Sequence, residues 1–319
     1  MGDTTHIEWT DATWNPVTGC TRVSPGCVNC YIDWAPPFRV EGRHFTDRDG
    51  NRSHAIGATT GVRLHPDRLD WPLRKRSWRG KRVFVCSLAD LFHDDVPDEY
   101  IARVFAVMAL TPEVTYQVLT KRPARMRSLL ASGTFAGMVW RDVDDLSWPL
   151  PNVWLGVTVE DQERADQRIP ILLDTPAAVR WLSCEPLLGP VNLPVCRCLG
   201  VGSIAHGRHW PDTVCDQCDG SGSQIDWVVV GGESGPNARP MHPDWARSLR
   251  DQCAAAGVPY LFKQWGEWVT EEQAPEDITL PAVSWRHLGD AEPPVWRVGK
   301  KRAGRLLDGI QHDGYPGGA

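Results

Sequence analysis

Apolar residues along the chain gather in short runs that do not alternate with polar ones, and each run closes on a polar or glycine-bearing end. The runs are NPVTG (15–19), KRVFVCS (81–87), VTYQVLTKR (114–122), NVWLGVTVE (152–160), AAVRWLSCEP (177–186), DWVVVGGES (226–234) and VPYLFKQWG (258–266). Such runs fit strands buried on both faces of a parallel sheet. Between them lie segments with helical spacing. PDEYIARVFAVMAL (97–110) opens on Pro97, Asp98 and Glu99, residue types that favour a helix start. EDQERADQRIPILLD (160–174) and HPDWARSLRDQCAAAG (242–257) follow, with Gly257 as a C-cap. The repeated strand–helix–strand order predicts an α/β protein, a partial or full (β/α) parallel barrel or an open doubly wound sheet. Neither G-x-G-x-x-G nor a Walker lysine motif occurs, which counts against a nucleotide-phosphate site.

Two stretches break this pattern. Residues 191–225 are rich in Cys and Gly without an apolar period, and read as an insertion between strands. Residues 271–319 are rich in proline and charge up to GKKRAGRLLDG (299–309), and read as a C-terminal tail packed on the barrel. The barrel itself is assigned to 1–190 and 226–270.

The 319 residues, 42% of them hydrophobic, suffice for one large core or two ordinary domains. No apolar run approaches the ~20 residues of a membrane helix. The N-terminus is polar and lacks a leader pattern, so a cytoplasmic protein is expected. A net charge of -6 means that a nucleic-acid partner would have to be met by a local patch. RLDWPLRKRSWRGKR (68–82), with Trp71 and Trp78 among its cations, is the candidate patch, against the reading of a solvated face.

A cytoplasmic setting disfavours disulfides for the 10 cysteines, seven of which fall into two clusters, and clusters of this kind usually bind metal. Cys20, Cys27 and Cys30 form C-x6-C-x2-C directly after the first predicted strand. Three thiolates can hold a cubane iron–sulfur cluster with one iron open, or part of a zinc site finished from elsewhere. Cys196, Cys198, Cys215 and Cys218 form C-x-C-x16-C-x2-C, a zinc-ribbon-like signature, with a second iron–sulfur cluster or an unmetallated loop as alternatives. Ligands of a barrel gather at the C-terminal strand ends. Those ends carry Ser87 with Asp90, Lys121, Thr158 with Glu160, Cys184 with Glu185, and Gly231 and Gly232 with Glu233. Each has a bland reading too: a tight turn or close backbone approach for the glycines, an ion pair for Glu185, a small buried hydrophobe for Cys184.

The cysteine loop is similar to that of the radical S-adenosylmethionine enzymes, whose usual spacing is C-x3-C-x2-C. A resemblance over nearly the whole chain is carried by IEWTDATWNPVTGCTRVSPGCVNCY, SLADLFHDDVP, LTKRP, WLGVTVEDQERADQRIP, SCEPLLGP, VVVGGESGPNARPMHPDW and FKQWGEW. These stretches look like the phage-associated three-Cys-motif proteins, a family of unassigned function. The resemblance to radical enzymes implies a [4Fe–4S] cluster on Cys20, Cys27 and Cys30, its open iron taking S-adenosyl-L-methionine. It also implies a flavodoxin or ferredoxin as electron donor. Ser87, Asp90, Thr158, Glu160, Gly231, Gly232 and Glu233 become cosubstrate-binding candidates, and Lys121, Cys184 and Glu185 catalytic ones. A nucleic acid or modified base is the expected substrate, and a protein encoded nearby a further candidate partner. The alternative is a non-catalytic module in which both clusters hold Zn2+ and the rim grips nucleic acid.

Overall fold

The computed structural model describes residues 4–141, 143, 147–194, 225–280, 285–287 and 293–317. The chain divides into two compact units, 1–158 with 170–179, and 159–169 with 180–319. The first unit carries parallel strands β1 (Ala12–Trp14), β2 (Arg82–Val85), β3 (Thr115–Thr120) and β4 (Val153–Thr158), side by side in that order. Ala12 lies opposite Val83, Arg82 opposite Thr115, and Tyr116 opposite Val153. The second carries β5 (Val179–Cys184), β6 (Trp227–Gly231) and β7 (Tyr260–Gln264), again parallel, with Trp181 opposite Trp227 and Val228 opposite Tyr260. Within each unit the strands lie parallel and side by side in chain order, as in a partial (β/α) barrel. Every residue of β6 is buried, as its unalternating apolar run requires.

The first strand is displaced from its expected place. NPVTG does not supply the sheet strand, because Pro16 has no N–H to donate to a parallel ladder. The pairing falls instead on Ala12–Trp14, and Val17–Thr18 pairs antiparallel with Arg63–Leu64. Trp14 fixes the junction: its indole N–H donates to the Arg68 carbonyl at 2.8 Å, and its ring packs 5.8 Å from that of Tyr116.

The helices are α1 (Asp98–Ala109), α2 (Pro123–Leu130), α3 (Gly133–Trp140), α4 (Gln162–Leu173) and α5 (Pro243–Ala256). α1, α4 and α5 lie where the apolar spacing puts them, and α5 stops at Gly257 in the left-handed region with φ 73°. α2 and α3 lack a long periodic run and depend on packing. Within the first unit Phe105 of α1 sits 5.8 Å from Phe135 of α3, 6.0 Å from Trp148 and 6.5 Å from Phe92.

In the second unit Trp268–Thr270, Pro294–Arg297 and Trp285–His287 form a small antiparallel sheet that the sequence did not announce. The segment after it lies along β7. The Trp265 amide donates to the Gly304 carbonyl, the Phe262 amide to that of His312, and the Trp227 indole to that of Gly314. The Cys196, Cys198, Cys215 and Cys218 cluster lies outside the described residues. No helix among the described residues is long and apolar enough to cross a membrane.

Truncating the centre of the aromatic cluster leaves a void that its neighbours cannot fill. Phe105→Ala should therefore lower stability to urea by about 3–5 kcal/mol. Leu110→Ala, just beyond α1 at an exposed position, should stay within about 0.5 kcal/mol. Equal effects of the two substitutions would contradict this packing.

Candidate functional site

In the first unit the site is built on the C-terminal ends of β1 to β4. The chain leaves β1 through Gly19, whose φ of 96° brings it against a neighbouring backbone; a Cβ there would lie 1.8 Å from the Gly61 carbonyl oxygen. Only glycine fits this entry to the loop. Cys20 is then held on both sides by Thr60: its amide donates to Thr60 Oγ1 at 3.0 Å, and the Thr60 amide donates to its carbonyl at 3.0 Å. Two short 3-10 turns, Pro25–Cys27 and Tyr31–Trp34, carry the rest, with the Cys27 amide on the Ser24 carbonyl and the Cys30 amide on that of Cys27.

The three thiols lie close enough to feel one another's charge. Burial pushes the Cys20 thiol up to about 12; Asp90 adds to the shift, and Arg122 opposes it. Burial likewise pushes Cys30 up to about 11, with Cys27 adding and Lys121 and Arg22 opposing. Without a metal these two are neutral thiols at pH 7. Among the described residues no three His, Cys, Asp or Glu side chains converge as ligands of a single ion.

Asp90 is the centre of the polar network. Its Oδ1 accepts from the Phe92 amide (3.0 Å) and Thr120 Oγ1 (2.8 Å), and its Oδ2 from the Lys121 amide (3.0 Å) and Arg122 Nη1 (3.1 Å). These four donors occupy the acceptor capacity of a carboxylate. Asp90, expected to bind a cosubstrate, is engaged by these four donors and 5% exposed. What it does is aim Arg122, whose Nη1 lies 3.9 Å from Cys20 Sγ and whose Nη2 donates to the Thr21 carbonyl at 3.2 Å. Burial opposes the Arg122 charge, but Asp90 and Cys20 outweigh it and raise its pKa. Lys121 Nζ donates to Thr158 Oγ1 at 3.1 Å, so these two predicted residues do meet. Ser87 exchanges hydrogen bonds with Asn15 at 3.0 and 3.2 Å, and its carbonyl accepts from Tyr31 Oη. A cavity of about 510 Å³ opens beside the loop, with Ile7, Asn15, Tyr31, Pro36, Ser87 and Leu88 on its wall.

The remaining predicted residues belong to the second unit. Glu185 accepts from Lys263 Nζ at 2.6 and 2.8 Å and from Gln264 Nε2 at 3.1 Å, so the ion-pair reading holds for it. Glu160, 0% exposed, pairs with buried Arg168 at 3.3 Å, and Glu233 is clamped by the Arg239 backbone amide and guanidinium. Each carboxylate is thus held by an arginine within the second unit. Cys184 is also 0% exposed and behaves as a small core residue. At Gly232 a Cβ would lie 1.9 Å from the Trp265 carbonyl oxygen, so the close-approach reading applies; at Gly231 it would meet only the Glu185 side chain at 3.4 Å.

The basic stretch 68–82 offers less to a nucleic acid than its composition promised. Trp78 is 1% exposed and cannot stack on a base, Arg74 pairs with Asp70, and Arg79 pairs with Glu113. Its last residues run into the N-terminal end of β2, whereas the cysteines follow the C-terminal end of β1.

A family profile described as a protein of unknown function, DUF5131, matches residues 4–316. The chain belongs to the DUF5131 family. No curated protein and no solved structure matches it. In this DUF5131 chain the residues that sequence reasoning missed are Arg22, inside the first cysteine gap, and Asn15; both lie in the stretch 7–31, but nothing in that stretch marks their roles, and only the folded loop brings them to the site.

Two outcomes test this geometry. Gly232→Ala should cost about 3 kcal/mol of stability and Gly231→Ala under about 1 kcal/mol, because only the first forces a backbone apart; similar melting of the two variants would refute it. The thiolate is the reactive form of cysteine, so alkylation of Cys20 should rise about tenfold per pH unit towards pH 12. Arg122→Gln should slow it about tenfold further at pH 8, the effect of roughly one pKa unit. An unchanged rate on the Cys20 peptide would show that Arg122 does not act on this thiol.

Proposed function

We propose that this chain is an iron–sulfur radical S-adenosylmethionine enzyme, with Cys20, Cys27 and Cys30 each bound to one iron of a [4Fe–4S] cluster. The observation that carries the reading is the gathering of three thiols at the C-terminal ends of parallel strands, with Arg122, Lys121 and Arg22 as surrounding cations. A single zinc draws its thiolates onto one point at about 2.3 Å, whereas a cube takes one thiolate per iron and keeps them apart. Three thiols on one loop can supply one ligand to each of three irons. The cations fit a ligand of net negative charge.

A cluster held by Cys20, Cys27 and Cys30 would supply one-electron chemistry: an electron from a flavodoxin- or ferredoxin-type donor would reduce the sulfonium of S-adenosylmethionine, whose C–S bond would break to methionine and a 5′-deoxyadenosyl radical. This chain's residues have more modest tasks. Gly19 and Thr60 fix the direction in which Cys20 leaves β1. Asp90 holds Arg122 against the Cys20 sulfur and so favours loss of its proton when metal enters. Ser87 and Asn15, on the cavity wall, are the groups we assign to the polar end of the cosubstrate, and Lys121 with Thr158 borders the same strand ends. A nucleic acid or modified base is the substrate class proposed, suggested by the basic stretch 68–82 and the zinc-ribbon-like cysteines. For Cys196, Cys198, Cys215 and Cys218 we propose structural zinc, so Cys215→Ser should remove one zinc per chain.

Protein reconstituted with iron and sulfide without oxygen should be brown and hold about four irons at this site. Cys27→Ala should lose them, while its metal-free melting temperature stays near that of wild type, because the strands do not depend on this loop. Colourless wild-type protein holding zinc alone would instead support the non-catalytic binding module.

A further inference from the structure

Arg22 lies two residues beyond Cys20 and is 1% exposed. Its backbone is pinned, the amide donating to the Ala58 carbonyl and the carbonyl accepting from the Gly57 amide, both at 2.9 Å. The guanidinium sits 4.1 Å above the centre of the Phe45 ring, and neither Nε nor Nη1 has a hydrogen-bond partner. The acidic groups that act on it are the Cys30 and Cys27 thiols and the Asp33 carboxyl, and Asp33 already accepts from the Phe45 amide at 3.2 Å with His44 at 3.6 Å. A buried cation with unmade hydrogen bonds destabilises a fold. Its retention beside the Cys27 and Cys30 thiols therefore points to an anion that the metal-free protein does not contain.

We propose that Arg22 is a positioning residue for the cluster that balances its charge and sets its reduction potential; this inference rests on the iron–sulfur reading. A dipositive cube held by three thiolates carries one net negative charge, and a second after it takes up an electron. A fixed cation in a low-dielectric shell stabilises the second state more than the first, and so makes the cluster easier to reduce. Net charge, hydrogen bonds to sulfur and solvent exposure are the terms that set such potentials, and Arg22 brings a buried positive charge with unused donors. Its Nε and Nη1 carry N–H donors that sulfur could take, and the ring of Phe45 covers one face of the guanidinium.

The variants Arg22→Gln and Arg22→Lys separate charge from packing. In reconstituted protein without S-adenosylmethionine, a redox titration followed by electron paramagnetic resonance should give Arg22→Gln a more negative midpoint than wild type, with Arg22→Lys returning most of the way. The metal-free Arg22→Gln protein should melt at or above the wild-type temperature, because an uncompensated buried charge has been removed. If Arg22→Gln fails to load iron yet melts in this way, the cation is needed to assemble the cluster and the proposal stands. An unchanged midpoint at full iron content overturns it, as does a lowered melting temperature in the metal-free variant, the mark of a packing role. Wild-type protein that takes up no iron overturns the iron–sulfur reading itself, and the tuning role falls with it.

Discussion

The carboxylate of Asp90 ties the first unit's site together. It follows β2, yet three of its four donors, Thr120 Oγ1, the Lys121 amide and Arg122 Nη1, come from the end of β3. Through Arg122 it reaches the Cys20 sulfur and the Thr21 carbonyl on the loop that follows β1. One buried anion thus fixes three consecutive strand ends against each other. Hydrogen bonds to a charged group are worth about 1.5–3 kcal/mol each when their loss leaves a buried charge unmet, so the loop is anchored by electrostatics where short strands alone would leave it loose. β1 has only three residues.

The same economy governs the thiols. Buried and neutral, Cys20 and Cys30 cost little while no metal is bound, but Arg122, Lys121 and Arg22 are already in place for the thiolates that metal would create. Preorganised charge of this kind does not have to reorganise when the ligand arrives. Arg22 carries the cost in the metal-free state, because its Nε and Nη1 find no partner there.

Most sheet strands were legible because their signal is local: VFV, TYQVLT, WLGVT and WVVVG are β-rich runs bounded by polar or glycine punctuation. The first strand was misplaced by four residues or so because β1 is short and its partner residues at 83–85 decide the pairing. α2, α3 and the small C-terminal sheet were missed because their apolar residues make sense only against neighbours distant in sequence. At the site, residue type marked the cysteines and Gly232. Roles were harder to read, since Asp90, Glu160 and Glu233 look alike as acidic residues after strands, and only their partners, Arg122, Arg168 and Arg239, show that each is already engaged. Chemistry that depends on a free lone pair cannot be read without counting donors.

The central claim is that the three thiols of the loop after β1 leave one iron open for a cosubstrate. The most direct measurement incubates dithionite-reduced, iron-loaded protein with S-adenosylmethionine and follows 5′-deoxyadenosine by mass. The account predicts that wild type forms it, with methionine in equal amount, and that Cys27→Ala forms none. A fully loaded, reduced cluster that yields no 5′-deoxyadenosine, with or without nucleic acid present, would contradict it.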